Sequence, residues 1–89
     1  MEPREVKIKR LAMRSMRRGI KEMDLILSAF ADKYLSTLPD EDLALYDQLL
    51  SENDHDLYTW VSGQSDAPEV YGHLMAEITK GAHGLTRPN

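Results

Sequence analysis

The chain has 89 residues, of which 42% are hydrophobic and 29% are charged, and its formal net charge is −4. A chain of this length folds as one domain with a modest core, which leaves no room for a deep substrate cavity as well as its scaffold. It contains no cysteine, which excludes disulfides, thiolate metal sites and a thiol nucleophile and is typical of a reducing cytosol.

Helical periodicity dominates the first half of the chain. The spacing predicts a first helix from about Glu5 to Arg17 and a second from about Ile20 to Leu35. Gly19 lies between them, and because glycine tolerates positive φ we expect it to end the first helix and form the corner. The second helix carries apolar residues at steps of three and four, which form one stripe toward a core: Met23, Ile26, Leu27, Phe30 and Tyr34.

Three shorter helices are predicted after Pro39, which suits a first helical turn. The third helix extends to Leu50 or Ser51, and Gly63 ends a fourth helix that carries Leu57, Val61 and Trp60, which we expect in the core. Asp66 and Glu69 have the spacing of a capping box before a fifth helix, whose inward positions are predicted to be Val70, Leu74 and Ile78. The sequence therefore predicts an all-α fold, a compact five-helix bundle with short loops over residues 1–80, followed by a flexible tail over residues 81–89.

Charge is divided unevenly along the chain. Residues 1–21 hold eight basic and two acidic residues, a net +6, whereas residues 22–89 hold three basic and thirteen acidic residues, a net −10. We expect a dipolar molecule with one basic end. A nucleic-acid partner is disfavoured because the acidic remainder would repel phosphates and no aromatic residues are interleaved with the basic ones.

Catalytic and metal sites find little support in the residue pattern. His55, His73 and His83 lack the helical spacing to a second ligand that a metal site needs, and His55 is better explained by a capped helix start. No glycine-rich loop follows a strand, so the usual apparatus for binding a dinucleotide cofactor is missing. No apolar run approaches the length of a membrane span. The sequence predicts a protein that is not an enzyme.

The segment from Arg17 to Asp24 is the strongest candidate for a functional site. Arg17 and Arg18 precede Gly19, and the acids Glu22 and Asp24 follow it. A glycine corner between cations and carboxylates has the form of a small recognition site for a partner. The structural alternative has about even weight on local physics alone, because Gly19 also suits a helix end and Glu22 a first helical turn.

Two blocks of this sequence resemble one known family. Residues 17–27 with Phe30 resemble the Arg-Gly-x-x-Glu signature of the succinate dehydrogenase flavinylation factors, the SdhE type of assembly factor. The second block, at the separation seen in that family, consists of Leu49, Leu50, Asp54, Asp56, Leu57, Tyr58 and Trp60. The resemblance covers about residues 8–80.

This resemblance implies a helical chaperone that binds the flavoprotein subunit of succinate dehydrogenase, with that of fumarate reductase as a second candidate client. It implies that the factor promotes covalent attachment of FAD to a histidine of the client, and that FAD is the client's cofactor with none bound stably by the factor. The implied compartment is the bacterial cytoplasm, or the mitochondrial matrix in a eukaryote. The signature places partner binding on Arg18, Gly19 and Glu22, with Arg17 and Asp24 as neighbours. The alternative is a small helical adaptor that binds another acidic protein or an anionic surface through the basic first helix.

Overall fold

A computed structural model describes residues 2–82 of the chain. This part contains five α-helices, two single 3₁₀ turns and no strand, which confirms the predicted all-α fold. The helices are α1 (Arg4–Arg14), α2 (Lys21–Tyr34), α3 (Asp40–Leu49), α4 (Asp54–Val61) and α5 (Gly72–Ala82). The 3₁₀ turns are Leu35–Thr37, directly after α2, and Glu69–Tyr71, directly before α5.

Helix α2 is the central element of the core. It contacts α1, α4 and α5, and it buries the stripe predicted from its spacing. Met23 and Leu27 are fully buried, and Ile26 and Phe30 nearly so. Burial of a side chain of this size contributes about 1.5–3 kcal/mol, so this stripe accounts for much of the stability of a small domain.

Tyr46 joins α3 to this core and to the end of α1. Its ring lies 5.4 Å from that of Phe30, and its hydroxyl lies 2.6 Å from the hydroxyl of Ser15, the buried C-cap residue of α1. Ser15 also donates to the carbonyl of Leu11, so both buried hydroxyls are satisfied. Burial raises the pKa of Tyr46 to about 12.

Three arginines of the basic α1 form ion pairs with aspartates of the acidic α3. Arg4 pairs with Asp40, and Arg10 forms a bidentate pair with Asp47 at 2.9 and 3.2 Å. Arg14 donates to the same Asp47 carboxylate and to its carbonyl. The basic and acidic parts of the chain therefore lie side by side over this contact, and the predicted separate basic end is corrected to a basic helix whose three arginines are paired with carboxylates of its neighbour.

The bounds of the first and last helices differ from those predicted. Helix α1 ends at Arg14, three residues before the predicted Arg17. The capping box predicted from Asp66 and Glu69 is wrong, because Glu69 lies in the 3₁₀ turn and α5 begins only at Gly72. Val70, predicted to face inward, is 54% exposed, whereas Leu74 and Ile78 are buried as predicted. Pro68 is extended and caps the 3₁₀ turn, which displaces the helix start.

Trp60 is only partly buried, which corrects its assignment to the core. It packs against the core from the side, and its ring lies 6.1 Å from that of buried Tyr71. One edge of Trp60 lines a shallow groove between α4 and α5 together with Met75 and Ala76. The fully buried aromatic positions are instead those of Tyr46 and Tyr71, whose hydroxyls reach Ser15 and Glu52.

The last helix extends two residues into the segment predicted as a tail, residues 81–89. Gly81 and Ala82 are the last residues of α5, and Ala82 is buried. Residues 83–89, which include His83, lie outside the described residues. Within residues 2–82, every helix is too short or too polar to cross a bilayer.

The Arg10–Asp47 pair predicts a specific acid dependence of stability. The hydrogen bond from Arg10 lowers the pKa of Asp47. A depressed folded pKa adds stability that is present above the unfolded value of about 3.9 and is lost as the pH falls through the folded value. Asp47→Asn should therefore lower the free energy of unfolding by about 1 kcal/mol at pH 7 and flatten its decline below pH 5.

Urea unfolding of both proteins between pH 2 and 7 measures this difference. Asp32→Asn, at an exposed position of α2, controls for the change in net charge. Wild-type and Asp47→Asn curves that stay parallel down to pH 2 would contradict the role given to this pair.

Candidate functional site

The corner between α1 and α2 is not formed in the predicted way. Among the non-glycine residues of the described chain, only Arg17 has positive φ, at 54°. Gly63 alone among the described glycines has positive φ. The left-handed residue of the corner is thus an arginine, and Gly19 is not needed there for its freedom of φ. Left-handed backbone costs an L-residue roughly 1–2 kcal/mol, so the surrounding contacts must hold the corner in place.

Asp54, the first residue of α4, supplies those contacts. Its Oδ2 accepts the backbone N–H of Gly19 at 2.6 Å, and its Oδ1 accepts Nε–H of Arg18 at 2.8 Å. The side chains of Arg18 and Asp54 are only 12% and 17% exposed. Charge-assisted hydrogen bonds of this kind are about twice as strong as neutral ones, and a low-dielectric setting strengthens them further.

The rest of the Arg18 guanidinium is also used within the chain. Nη1–H donates to the carbonyl of Arg14 at 2.8 Å, and Nη2–H donates to the carbonyl of Leu50 at 3.0 Å. Arg18 therefore connects the C-terminal ends of α1 and α3 to the start of α4. Partner binding was expected at Arg18, but the carboxylate that its guanidinium holds belongs to Asp54 of the same chain.

A glycine is required at position 19 because the Asp54 carboxylate lies too close to leave room for a Cβ. A Cβ built on Gly19 would lie 3.2 Å from Oδ2 of Asp54, tighter than ordinary van der Waals contact. Asp54 has little freedom to withdraw, because the same carboxylate is bound to Arg18. The glycine thus admits a carboxylate of its own chain, a different reason from the tolerance of positive φ expected from the sequence.

The other predicted site residues are more accessible. Arg17 is exposed, and Glu22 is half-buried in the first turn of α2. Within residues 2–82 neither side chain has a hydrogen-bond partner, so both charges are available to another molecule. Asp24 is half-buried and accepts the hydroxyl of Ser28 at 3.2 Å. The five predicted residues thus divide into an internal pair, Arg18 and Gly19, and an outward set of Arg17, Glu22 and Asp24.

Sequence reasoning did not assign Asp54 to the site. The sequence contained two usable signals: Asp54 belongs to the second block of the family resemblance, and Asn53 and Asp54 mark a helix start. Asn53 does cap α4 by accepting the N–H of His55. Nothing in the spacing showed that the carboxylate of Asp54 turns toward a corner 35 residues earlier. Within residues 2–82 no group of three His, Asp or Glu side chains has the geometry to hold a metal ion, and His73 pairs with Asp42.

Comparison with known proteins identifies similar sequences over nearly the whole chain. Residues 9–82 match a family model described as flavinator of succinate dehydrogenase. The chain is 41% identical over 97% of its length to succinate dehydrogenase assembly factor 2-A, mitochondrial, of Drosophila persimilis, and covers 58% of that protein. It is 40% identical over 94% of its length to assembly factor 2 of Mycosarcoma maydis, with 35% of that protein covered. With the factor of Meyerozyma guilliermondii it is 51% identical over 73% of its length, with 48% covered. The chain thus spans between about a third and three-fifths of the length of these curated relatives.

Asp54→Asn should destabilise the domain, because it removes the charge that holds both Arg18 and the N–H of Gly19. Breaking a largely buried ion pair from one side costs about 3 kcal/mol. The matched control is Asp56→Asn, which removes the same charge from the same first turn of α4 at an exposed position. Urea unfolding of the two variants decides the matter: equal midpoints would show that Asp54 does not hold the corner.

The finding that Arg17, and not Gly19, has the left-handed backbone of the corner is also testable. Arg17→Gly should raise the free energy of unfolding by about 1 kcal/mol, because glycine adopts left-handed backbone without the Cβ penalty. Gly19→Ala should lower the free energy of unfolding by about 1 kcal/mol, because the added Cβ would crowd the Asp54 carboxylate. In an Asp54→Ala background Gly19→Ala should cost nothing, and a cost that persists there would point to backbone strain at Gly19 instead.

Proposed function

The chain belongs to the family of flavinators of succinate dehydrogenase, and from this membership we propose that it binds the flavoprotein subunit of that enzyme and promotes covalent attachment of FAD to a histidine of the subunit. The relatives named above are called assembly factors of succinate dehydrogenase, which supports this client. Fumarate reductase, the second client implied by the signature, is not part of those names, and the proposal is limited to succinate dehydrogenase.

The observation that carries the proposal is the division of the signature into an internal and an outward part. Arg18 and Gly19 are fixed by Asp54, whereas Arg17 and Glu22 have no partner within residues 2–82. Two opposite charges presented from a fixed backbone suit recognition of a polar protein surface, because only the side chains, and not the backbone that carries them, lose conformational entropy on binding. In this proposal Glu22 accepts hydrogen bonds from the client, Arg17 pairs with a client carboxylate, and Asp24 supports the same surface.

The role we propose is that of a chaperone without chemistry of its own. By binding the immature flavoprotein, the factor would favour the arrangement of the client in which FAD and the acceptor histidine are aligned. Alignment of two reactants lowers a barrier without any proton transfer by the helper. In this proposal FAD is the cofactor of the client, which the description of the family as flavinator of succinate dehydrogenase supports.

The compartment we propose is the one in which succinate dehydrogenase is assembled. The relatives are named as mitochondrial, which supports the matrix in a eukaryote, and the cytoplasm is the equivalent in a bacterium.

An adaptor that binds an anionic surface through the arginines of α1 is less well supported. Arg4, Arg10 and Arg14 already bind carboxylates of α3 or of Glu2, and an outside anion would have to compete with them.

Glu22→Gln should abolish assisted flavinylation while the domain stays folded. The change removes a charge that we propose meets the client, and loss of one partner of an interfacial charged pair costs about 2–5 kcal/mol of binding. Glu41→Gln is the matched control, since Glu41 occupies the first turn of α3 as Glu22 does that of α2. Both variants are expressed in cells that lack the native factor.

Covalent flavin fluorescence of the denatured flavoprotein subunit is the readout, with the abundance of each variant measured by immunoblot. We expect less than about a tenth of the wild-type signal for Glu22→Gln, in line with that loss of binding, and the full signal for Glu41→Gln. A full signal for Glu22→Gln at normal abundance would contradict the proposed role of Glu22, and a full signal without any factor would contradict the proposed function.

A further inference from the structure

Helix α1 exposes apolar side chains that the proposed function has not used. Val6 is 51% exposed, Met13 70% and Met16 50%. In residues 2–82 only two other large apolar side chains are comparably exposed, Leu25 and Val70. We call Val6, Met13 and Met16 the outer stripe. Three such residues on one short segment are a concentration that scattered surface hydrophobics do not show.

The outer stripe faces away from the core. Leu11 of α1 is fully buried, Ser15 is buried just beyond the helix, and Ile8 packs against the core. At 100° per residue, Val6 and Met13 lie on the side of α1 opposite these residues. The two side chains are seven residues, or two turns, apart, and they line a shallow groove with Lys9, Arg10 and Arg14. The spacing is that of positions which contact a partner helix in helix-to-helix packing.

The edges of the stripe are cationic. Helix α1 carries five basic residues and one acid, Glu5. Arg10 and Arg14 turn toward Asp47 on one edge, while Lys9 on the other edge is exposed and has no hydrogen-bond partner within residues 2–82. Beyond Met16 the stripe continues directly into exposed Arg17. An apolar strip with the unpaired cation Lys9 on one edge complements an amphipathic segment with apolar side chains two turns apart and a flanking carboxylate.

We propose that the outer stripe is a second docking surface for the flavoprotein client, which covers it with an acidic amphipathic helix. This inference rests on the proposed function and adds a contact outside the Arg-Gly signature. Because Arg17 directly follows Met16 in the chain, the proposal assigns the stripe and the corner to the same client. Methionine suits such a contact because its flexible, polarizable side chain adapts to the shape of a partner. The stripe has too few apolar residues to anchor α1 in a membrane interface, where a helix buries a broad apolar face.

The test uses the double variant Val6→Thr/Met13→Gln. Threonine keeps the shape of valine, and glutamine keeps the length and helix propensity of methionine, so the change removes apolar character with little effect on α1. The matched control is Val70→Thr, the same change at an equally exposed valine on the 3₁₀ turn before α5. Circular dichroism and thermal melts establish that both variants are folded. The probe is the purified FAD-free flavoprotein subunit of succinate dehydrogenase, titrated by calorimetry.

We expect the double variant to bind about tenfold more weakly or worse, in keeping with the loss of two apolar contacts, and Val70→Thr to stay within about twofold of wild type. Equal binding by the double variant and wild type would overturn this inference and leave the proposed function standing. No binding by wild type would overturn the proposed function, and this inference with it. Sedimentation without the client and co-sedimentation with phosphatidylglycerol vesicles complete the test. Stripe-dependent self-association or vesicle binding, without an effect on client binding, would assign the stripe to a different occupant and overturn the inference.

Discussion

The carboxylate of Asp54 is the interaction on which the arrangement of the site depends. It joins the start of α4 to the corner that connects α1 and α2 by accepting the Arg18 guanidinium and the Gly19 N–H. Arg18 in turn holds the carbonyls at the ends of α1 and α3. The ends of α1 and α3, the start of α4 and the connection between α1 and α2 therefore meet at one ion pair. The strained backbone of Arg17 is kept in place beside this pair. This pair holds the connection that carries Arg17, while Glu22 is positioned by α2, whose neighbouring Met23 is fully buried.

A second consequence of the fold is that half of the eight basic residues of the N-terminal segment bind carboxylates of the same chain: Arg4, Arg10, Arg14 and Arg18. Asp40, Asp47 and Asp54 lie at intervals of seven residues, and each binds arginine from the basic N-terminal segment. Four cations of this segment have no hydrogen-bond or ion-pair partner within residues 2–82: Lys7, Lys9, Arg17 and Lys21. Of these, Lys9 lines the same groove as Val6 and Met13, and Arg17 directly follows Met16 in the chain. An unpaired cation and exposed apolar side chains thus lie together on the outer face of α1, which we propose faces the client.

Local patterns in the sequence predicted most of the fold because they reflect local physics. The stripe of Met23 to Phe30 defined α2, and Pro39 with the acids after it defined the start of α3. The errors arose where a distant contact decides the outcome. Gly19 resembles a helix terminator, yet its requirement comes from Asp54 and the left-handed residue is Arg17. Trp60 was assigned to the core by its size alone, while neighbouring helices leave one edge exposed. The signature named Arg18 and Glu22 together, but only the structure separates an internal cation from an available acid.

The central claim, that Asp54 fixes the corner through the Gly19 amide, is tested most directly by hydrogen exchange of that amide in the native protein, followed by nuclear magnetic resonance. Gly19 lies in an exposed turn outside any helix, where amides ordinarily exchange without protection. The account predicts protection of the Gly19 N–H comparable to that of the core of α2, because releasing it requires breaking the Arg18–Asp54 pair. Exchange at the unprotected rate, with the α2 amides protected, would contradict the account.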